Sequence, residues 1–175
     1  MGFDVYGKNP VVAKGTKEPK HPKNYGELTS EEWKDFSNKR DEYLSKNPGT
    51  YFRASVWSWG PIYRIICNEC SSLLDGETLE GLAFNDGCGP DDQETCTKMA
   101  ESIEDFVRCS DLFDEFNGGR YELDSSLRVK KDGTFLSSEA DEELFNESRS
   151  AYGGEVEHIL EFCTFLRNCG GFRAC

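Results

Sequence analysis

The 175-residue chain lacks the short motifs by which many enzymes are recognised. It contains no glycine-rich dinucleotide or phosphate loop, no HExxH zinc motif and no GxSxG nucleophile turn. Histidine is scarce, with only His21 and His158. Paired carboxylates are so abundant that no single pair is informative. The sequence therefore favours a protein that is not an enzyme, without deciding the question.

Positive charge is also scarce, with 20 Lys and Arg against 33 Asp and Glu and a net charge of −13. All of the acidic excess lies in residues 51–175, which carry eleven basic and twenty-five acidic residues. Such a surface repels nucleic acid and anionic membranes and attracts basic proteins. We therefore expect a basic protein partner and no direct nucleic-acid binding. Solubility alone is the simpler explanation of the charge.

Long apolar runs are missing. No window approaches the roughly 18–20 apolar residues that span a bilayer, and the mean hydropathy is −0.66. The opening residues, MGFDVYGKNP, lack the basic and apolar regions of a secretory signal peptide. These features predict a cytoplasmic protein with no membrane association.

The chain does contain eight cysteines. Disulfides are rare in a reducing cytosol, so we favour buried free thiols. Cys67 and Cys70 form the only closely spaced pair, and neither histidine has a metal-like spacing to it. We expect no cofactor; the alternative is a structural zinc with Cys67, Cys70 and Cys88 as ligands. Three further cysteines lie on the apolar faces of predicted helices: Cys96, Cys109 and Cys163.

The apolar patterns predict an α-rich α+β fold, one domain over residues 1–175 with about four helices and a small antiparallel sheet. Helical periodicity covers residues 61–74, 92–116, 137–152 and 155–168. Residues 3–6 and 51–56 read as strands, 121–129 as a hairpin, and the final GFRAC as a strand that could pair with the first. Residues 8–49 read as an insertion, a loop followed by a helix that opens with a capping box at Thr29 and Glu32.

The stretch YFRASVWSWGPIYRIIC, residues 51–67, places two tryptophans two residues apart. In a strand Trp57 and Trp59 would share a face, whereas in a helix they would diverge by about 200°. Pro61 suits the first turn of a helix. We favour core packing for both tryptophans, because each would bury a large apolar area. A stacking platform with Arg53 is the alternative.

The loop FNDGCGPDDQE, residues 84–94, superficially suggests a calcium site. An EF-hand is excluded, because aligning its central glycine places Leu82 or Phe84 where an oxygen ligand is required. We expect a turn and a helix cap instead. A looser cation site of Asp86, Asp91 and Asp92 is the alternative.

Four blocks, MGFDVYGKNP, YFRASVWSWGPIYRIIC, FNDGCG and EFCTFLRNCGGF, together resemble a family of small uncharacterised bacterial and phage proteins. That family has the patterns MGxDVYG, YFRxxVWxWxPL, NDGxG and EFxxFLRxxGGF. The resemblance covers about half of the chain, and this sequence departs from it by inserting about forty residues between the first two blocks. It implies a prokaryotic or phage origin and a fold in which the blocks meet, but no activity.

Two functional hypotheses follow. The leading one is a phage- or prophage-associated acidic protein that binds and inhibits a nucleic-acid-binding host or defence protein through that protein's basic groove. The alternative is a domain that sequesters or hydrolyses a nucleotide-like molecule. Its ligand-binding residues would be Arg53, Trp57, Trp59, Asn85 and Asp86.

Overall fold

The structure is a computed structural model that describes residues 2–22, 28–109 and 156–175. Three strands and five helices lie within these ranges, which confirms an α-rich α+β fold with a small antiparallel sheet. In chain order they are β1 (Gly2–Gly7), α1 (Ser30–Lys46), β2 (Tyr51–Ser55), α2 (Val56–Glu69), α3 (Gly76–Gly81), α4 (Gln93–Cys109), α5 (Val156–Leu166) and β3 (Phe172–Ala174).

The sheet has the order β2-β1-β3, and both pairings are antiparallel. Val5 at the centre opposes Phe52 on one side and Ala174 on the other. All three side chains are buried. Because successive residues of a strand point to opposite faces, one face of the sheet enters the core and the other faces outward. The expected pairing of the C-terminal strand with the first strand is confirmed.

The first helix, α1, has the predicted capping box. The side chain of Thr29 accepts a hydrogen bond from the Glu32 amide, and the Glu32 carboxylate accepts one from the Thr29 amide. Among its residues only Tyr43 is buried, as expected for a charged helix on the surface. At its end, buried Asn47 accepts a hydrogen bond from the Ala13 amide at 2.7 Å and so ties the preceding loop to the helix.

The helix α2 begins earlier than predicted, at Val56 and not at Pro61. The reason is Ser55, the last residue of β2, whose hydroxyl accepts a hydrogen bond from the Ser58 amide at 3.0 Å and caps the helix. Pro61 therefore lies inside the helix. The helix also ends earlier, at Glu69, and the short α3 follows a turn.

The core lies between the inner face of the sheet and helices α2, α4 and α5. Trp59 is at its centre, stacked on Phe3 with ring centroids 4.9 Å apart and edge-on to Phe162 at 5.7 Å. Its indole Nε1–H donates to the carbonyl of Leu82 at 2.8 Å. The packing hub predicted for this stretch is confirmed at Trp59.

The helix α4 shows the predicted apolar stripe. Its buried residues are Cys96, Met99, Ala100, Ile103 and Val107.

Three predictions lie outside the described residues: the continuation of α4 to residue 116, the hairpin at 121–129 and the helix at 137–152. Among the described helices, none is long and apolar enough to cross a membrane.

A matched pair of substitutions tests the central role of Trp59. Trp59→Phe leaves the Leu82 carbonyl without its donor and opens a gap in the core, so we expect a loss of about 1–3 kcal/mol in the free energy of unfolding. Trp57→Phe should change it by less than about 0.5 kcal/mol. Urea unfolding followed by circular dichroism measures both, and equal losses would contradict the assignment.

Candidate interaction surface

The loop at residues 87–90 forms the outer border of β3. The Gly87 amide donates to Ala174 at 2.8 Å, the Ala174 amide donates to Cys88 at 2.9 Å, and the Phe172 amide donates to Pro90 at 2.9 Å. The loop therefore satisfies backbone groups that an edge strand would expose. Its first role is structural.

The two predicted ligand residues of this loop are engaged with the backbone. The Asn85 side-chain amide donates to the Gly2 carbonyl at 3.1 Å, and the Asp86 carboxylate accepts from the Cys88 amide at 3.2 Å. Asp92 accepts from the Thr95 amide at 2.8 Å. The predicted turn and helix cap are thus present.

The C-terminal turn is held against the start of α4 by Gln93. Its Nε2 donates to the Leu166 carbonyl at 2.9 Å, and its Oε1 accepts from the Gly170 amide at 2.7 Å. Gly171 has φ +90°, and a Cβ there would lie 2.5 Å from the Asp91 carbonyl oxygen. Only glycine fits this approach, which explains the Gly-Gly pair after α5.

The two tryptophans of the aromatic stretch diverge, as expected in a helix, so the prediction of core packing for both is wrong for Trp57. Trp59 is 2% exposed, whereas Trp57 is 43% exposed. Arg53 lies on the outer face of the sheet beside Asp4, opposite the face on which Phe3 stacks against Trp59. The five residues predicted to bind a nucleotide-like ligand therefore do not surround one common space.

Three apolar side chains are instead exposed near one end of the sheet: Val56 at 42%, Trp57 at 43% and Phe84 at 63%. Val56 follows Ser55, which opposes Gly2 in the sheet, and Asn85, next to Phe84, donates to Gly2. The two segments are thereby anchored to the same end of β1. We call Val56, Trp57 and Phe84 the apolar edge.

Acidic side chains gather beside this edge, around Cys88. Asp86 raises the pKa of the Cys88 thiol through a hydrogen bond and its charge, and the charges of Glu77 and Asp75 raise it further. Asp75 caps α3 by accepting from the Thr78 amide at 2.7 Å, which lowers the pKa of its carboxyl. We call Asp75, Glu77 and Asp86 the acidic rim.

The three cysteines considered as zinc ligands lie in different surroundings. Cys70 is buried, its thiol donates to the Met99 carbonyl at 3.8 Å, and burial raises its pKa to about 12. Cys67 is half-buried and shares a hydrogen bond with the Tyr63 hydroxyl, whereas Cys88 lies within the acidic rim. Within residues 2–22, 28–109 and 156–175, no group of three or more His, Cys, Asp or Glu side chains is arranged to hold a metal ion.

Three other cysteines are buried in the core, and two of them share a hydrogen bond. Cys96 and Cys169 are both buried, and their thiols share a hydrogen bond that lowers the pKa of Cys96 and raises that of Cys169. Cys163 is also buried, and burial raises its pKa to about 12. These thiols are free. The side chain of Cys109 lies outside the described part of the chain.

Sequence reasoning named Trp57 and Asp86 as ligands of a nucleotide-like molecule. It did not name the other members of the apolar edge and the acidic rim, which are Val56, Phe84, Asp75 and Glu77. An apolar residue just before an Asn-Asp-Gly turn was the available signal for Phe84, since turns lie at the surface. Val56 gave no such signal, because its exposure depends on where α2 begins.

Comparison of the chain with protein-family models, with curated proteins and with solved structures finds no match.

The influence of Asp86 on Cys88 can be measured. Asp86→Asn retains an oxygen for the Cys88 amide but removes the charge, so the pKa of the thiol should fall and its thiolate fraction at mildly alkaline pH should rise. We expect severalfold faster alkylation of Cys88 by iodoacetamide, followed by peptide mass spectrometry. The rate at half-buried Cys175 serves as the control. An unchanged rate at Cys88 would show that the rim does not act on it.

Proposed function

We propose that this protein is a non-enzymatic interaction protein whose apolar edge and acidic rim bind a basic protein. The observation that carries the proposal is the half-exposed Trp57, at the same end of the sheet as exposed Phe84 and beside acidic side chains. An apolar centre with a polar rim is the usual anatomy of a protein–protein interface.

The two parts of the surface contribute differently to binding. Tryptophan is enriched among the residues that dominate interface energies, and burying Trp57 and Phe84 against a partner supplies affinity. Asp75, Glu77 and Asp86 supply long-range attraction to a basic surface, which raises the association rate and makes it salt-dependent. The net charge of −13 acts in the same direction.

The partner that best complements this surface is a protein with a basic groove for nucleic acid. Such a groove carries Lys and Arg spaced to meet phosphates, and carboxylates on a rigid scaffold can occupy the same positions. By occupying the groove, the chain would inhibit a nucleic-acid-binding host or defence protein. The resemblance to bacterial and phage proteins favours a prophage-associated role in the cytoplasm.

Affinity capture with matched variants tests the proposal. Tagged wild-type protein should retain from bacterial lysate, at low salt, a basic nucleic-acid-binding protein that moderate salt releases. Trp57→Ala combined with Phe84→Ala should reduce its recovery at least about tenfold. Glu77→Gln should mainly slow association. Quantitative mass spectrometry measures the recovery.

The control is Val11→Ala combined with Val12→Ala, which removes apolar groups of comparable exposure from the loop before α1. It should leave recovery unchanged. The purified partner should also lose binding to its nucleic acid when the wild-type chain is added. Recovery of the partner that does not depend on salt, or that falls equally in both double variants, would refute the proposal.

A further inference from the structure

The outer face of the sheet concentrates tyrosine and arginine on a protein with a net charge of −13. It presents Tyr6 from β1, Tyr51 and Arg53 from β2, and Arg173 from β3. The neighbouring helix α1 adds Arg40, whose guanidinium lies 5.2 Å from the centre of the Tyr51 ring. We call these five residues the tyrosine–arginine face.

The tyrosine rings and guanidiniums of this face contact one another. Arg173 lies over the Tyr6 ring at 5.7 Å, and the centroids of Tyr6 and Tyr51 are 5.3 Å apart. A guanidinium that already contacts a ring loses less freedom when it binds, and it can form a bidentate pair with a carboxylate. Arg53 is mostly exposed, with 69% of its side chain accessible.

Asp4 shows how this face accommodates a carboxylate. Asp4 lies on β1 opposite Arg53. The Tyr51 hydroxyl donates to Oδ1 of Asp4, and Arg53 Nε lies 3.8 Å from the same atom. Burial and the Asp4 carboxylate raise the pKa of Tyr51 to about 12.

We propose that the tyrosine–arginine face is a second binding surface, which docks an extended, acidic segment of a partner protein. Tyrosine and arginine are enriched at protein interfaces, and the three guanidiniums complement carboxylates. Single-stranded nucleic acid fits less well. Its bases need free ring faces to stack, but here Arg173, Arg40 and the neighbouring ring take up part of the surface around each ring.

The register of the sheet defines the spacing of the ligand. Arg53 opposes Asp4 and Arg173 opposes Tyr6, so their Cα atoms are two strands apart and offset by two residues. That separation is about 12 Å for standard sheet dimensions. An extended peptide spans about 13 Å over four residues. Carboxylates at positions i and i+4 can therefore reach both arginines.

Fluorescence anisotropy with a labelled peptide of alternating Glu and Ser tests the proposal on the full chain. We expect saturable binding at low salt that weakens at higher salt. Arg53→Gln combined with Arg173→Gln should weaken it at least about tenfold. The matched control, Lys39→Gln with Lys98→Gln, makes the same change in net charge on α1 and α4, where both lysines form exposed ion pairs. It should bind as the wild type does.

Circular dichroism confirms that each variant is folded before binding is measured. No binding by the wild type, or equal weakening in both double variants, overturns the proposal. Equal or tighter binding of a labelled oligothymidylate of the same charge, lost in the arginine variant, would assign the face to nucleic acid instead and also overturn it. Capture of a basic partner through the apolar edge should persist in Arg53→Gln with Arg173→Gln, so the two proposals fail independently.

Discussion

The structure depends on the double pairing of β1. Both hydrogen-bonding edges of this strand are occupied, by β2 and by β3, so residues near the start and the end of the sequence and a segment from its first third are joined in one sheet. The loop at residues 87–90 then pairs with β3, and Asn85 returns to Gly2. The four sequence blocks that resemble the bacterial and phage family are thereby neighbours in space. The family assignment itself stays a prediction.

The alternation of side chains along β1 links packing to function. Phe3 and Val5 enter the core, where Phe3 meets Trp59. Asp4 and Tyr6, which alternate with them along the strand, contribute to the outer face. A shift of one residue in the register would exchange these sets and destroy both the core and the surface. The burial of the inner face therefore also determines the arrangement of the outer one.

The sequence predicted those features whose causes are local. The capping box at Thr29, the apolar stripe of α4 and the short first strand all follow from spacing within one segment. The start of α2 was missed, because both a strand and a helix fit the residues before Pro61, and the Ser55 cap decided between them. Exposure of Trp57 beside buried Trp59 followed only once the helix was established.

The candidate surfaces were harder to predict, because each combines residues that are distant in the chain. Phe84 joins Val56 only through the hydrogen bond of its neighbour Asn85 to Gly2, and Arg173 joins Arg53 only through β1. The composition even suggested that every surface is acidic. The net charge of −13 is a sum over the whole chain, so it hides the arginines that the sheet brings together. A small sheet can separate charges that the sequence intermixes, and it thereby gives an acidic chain a local basic face.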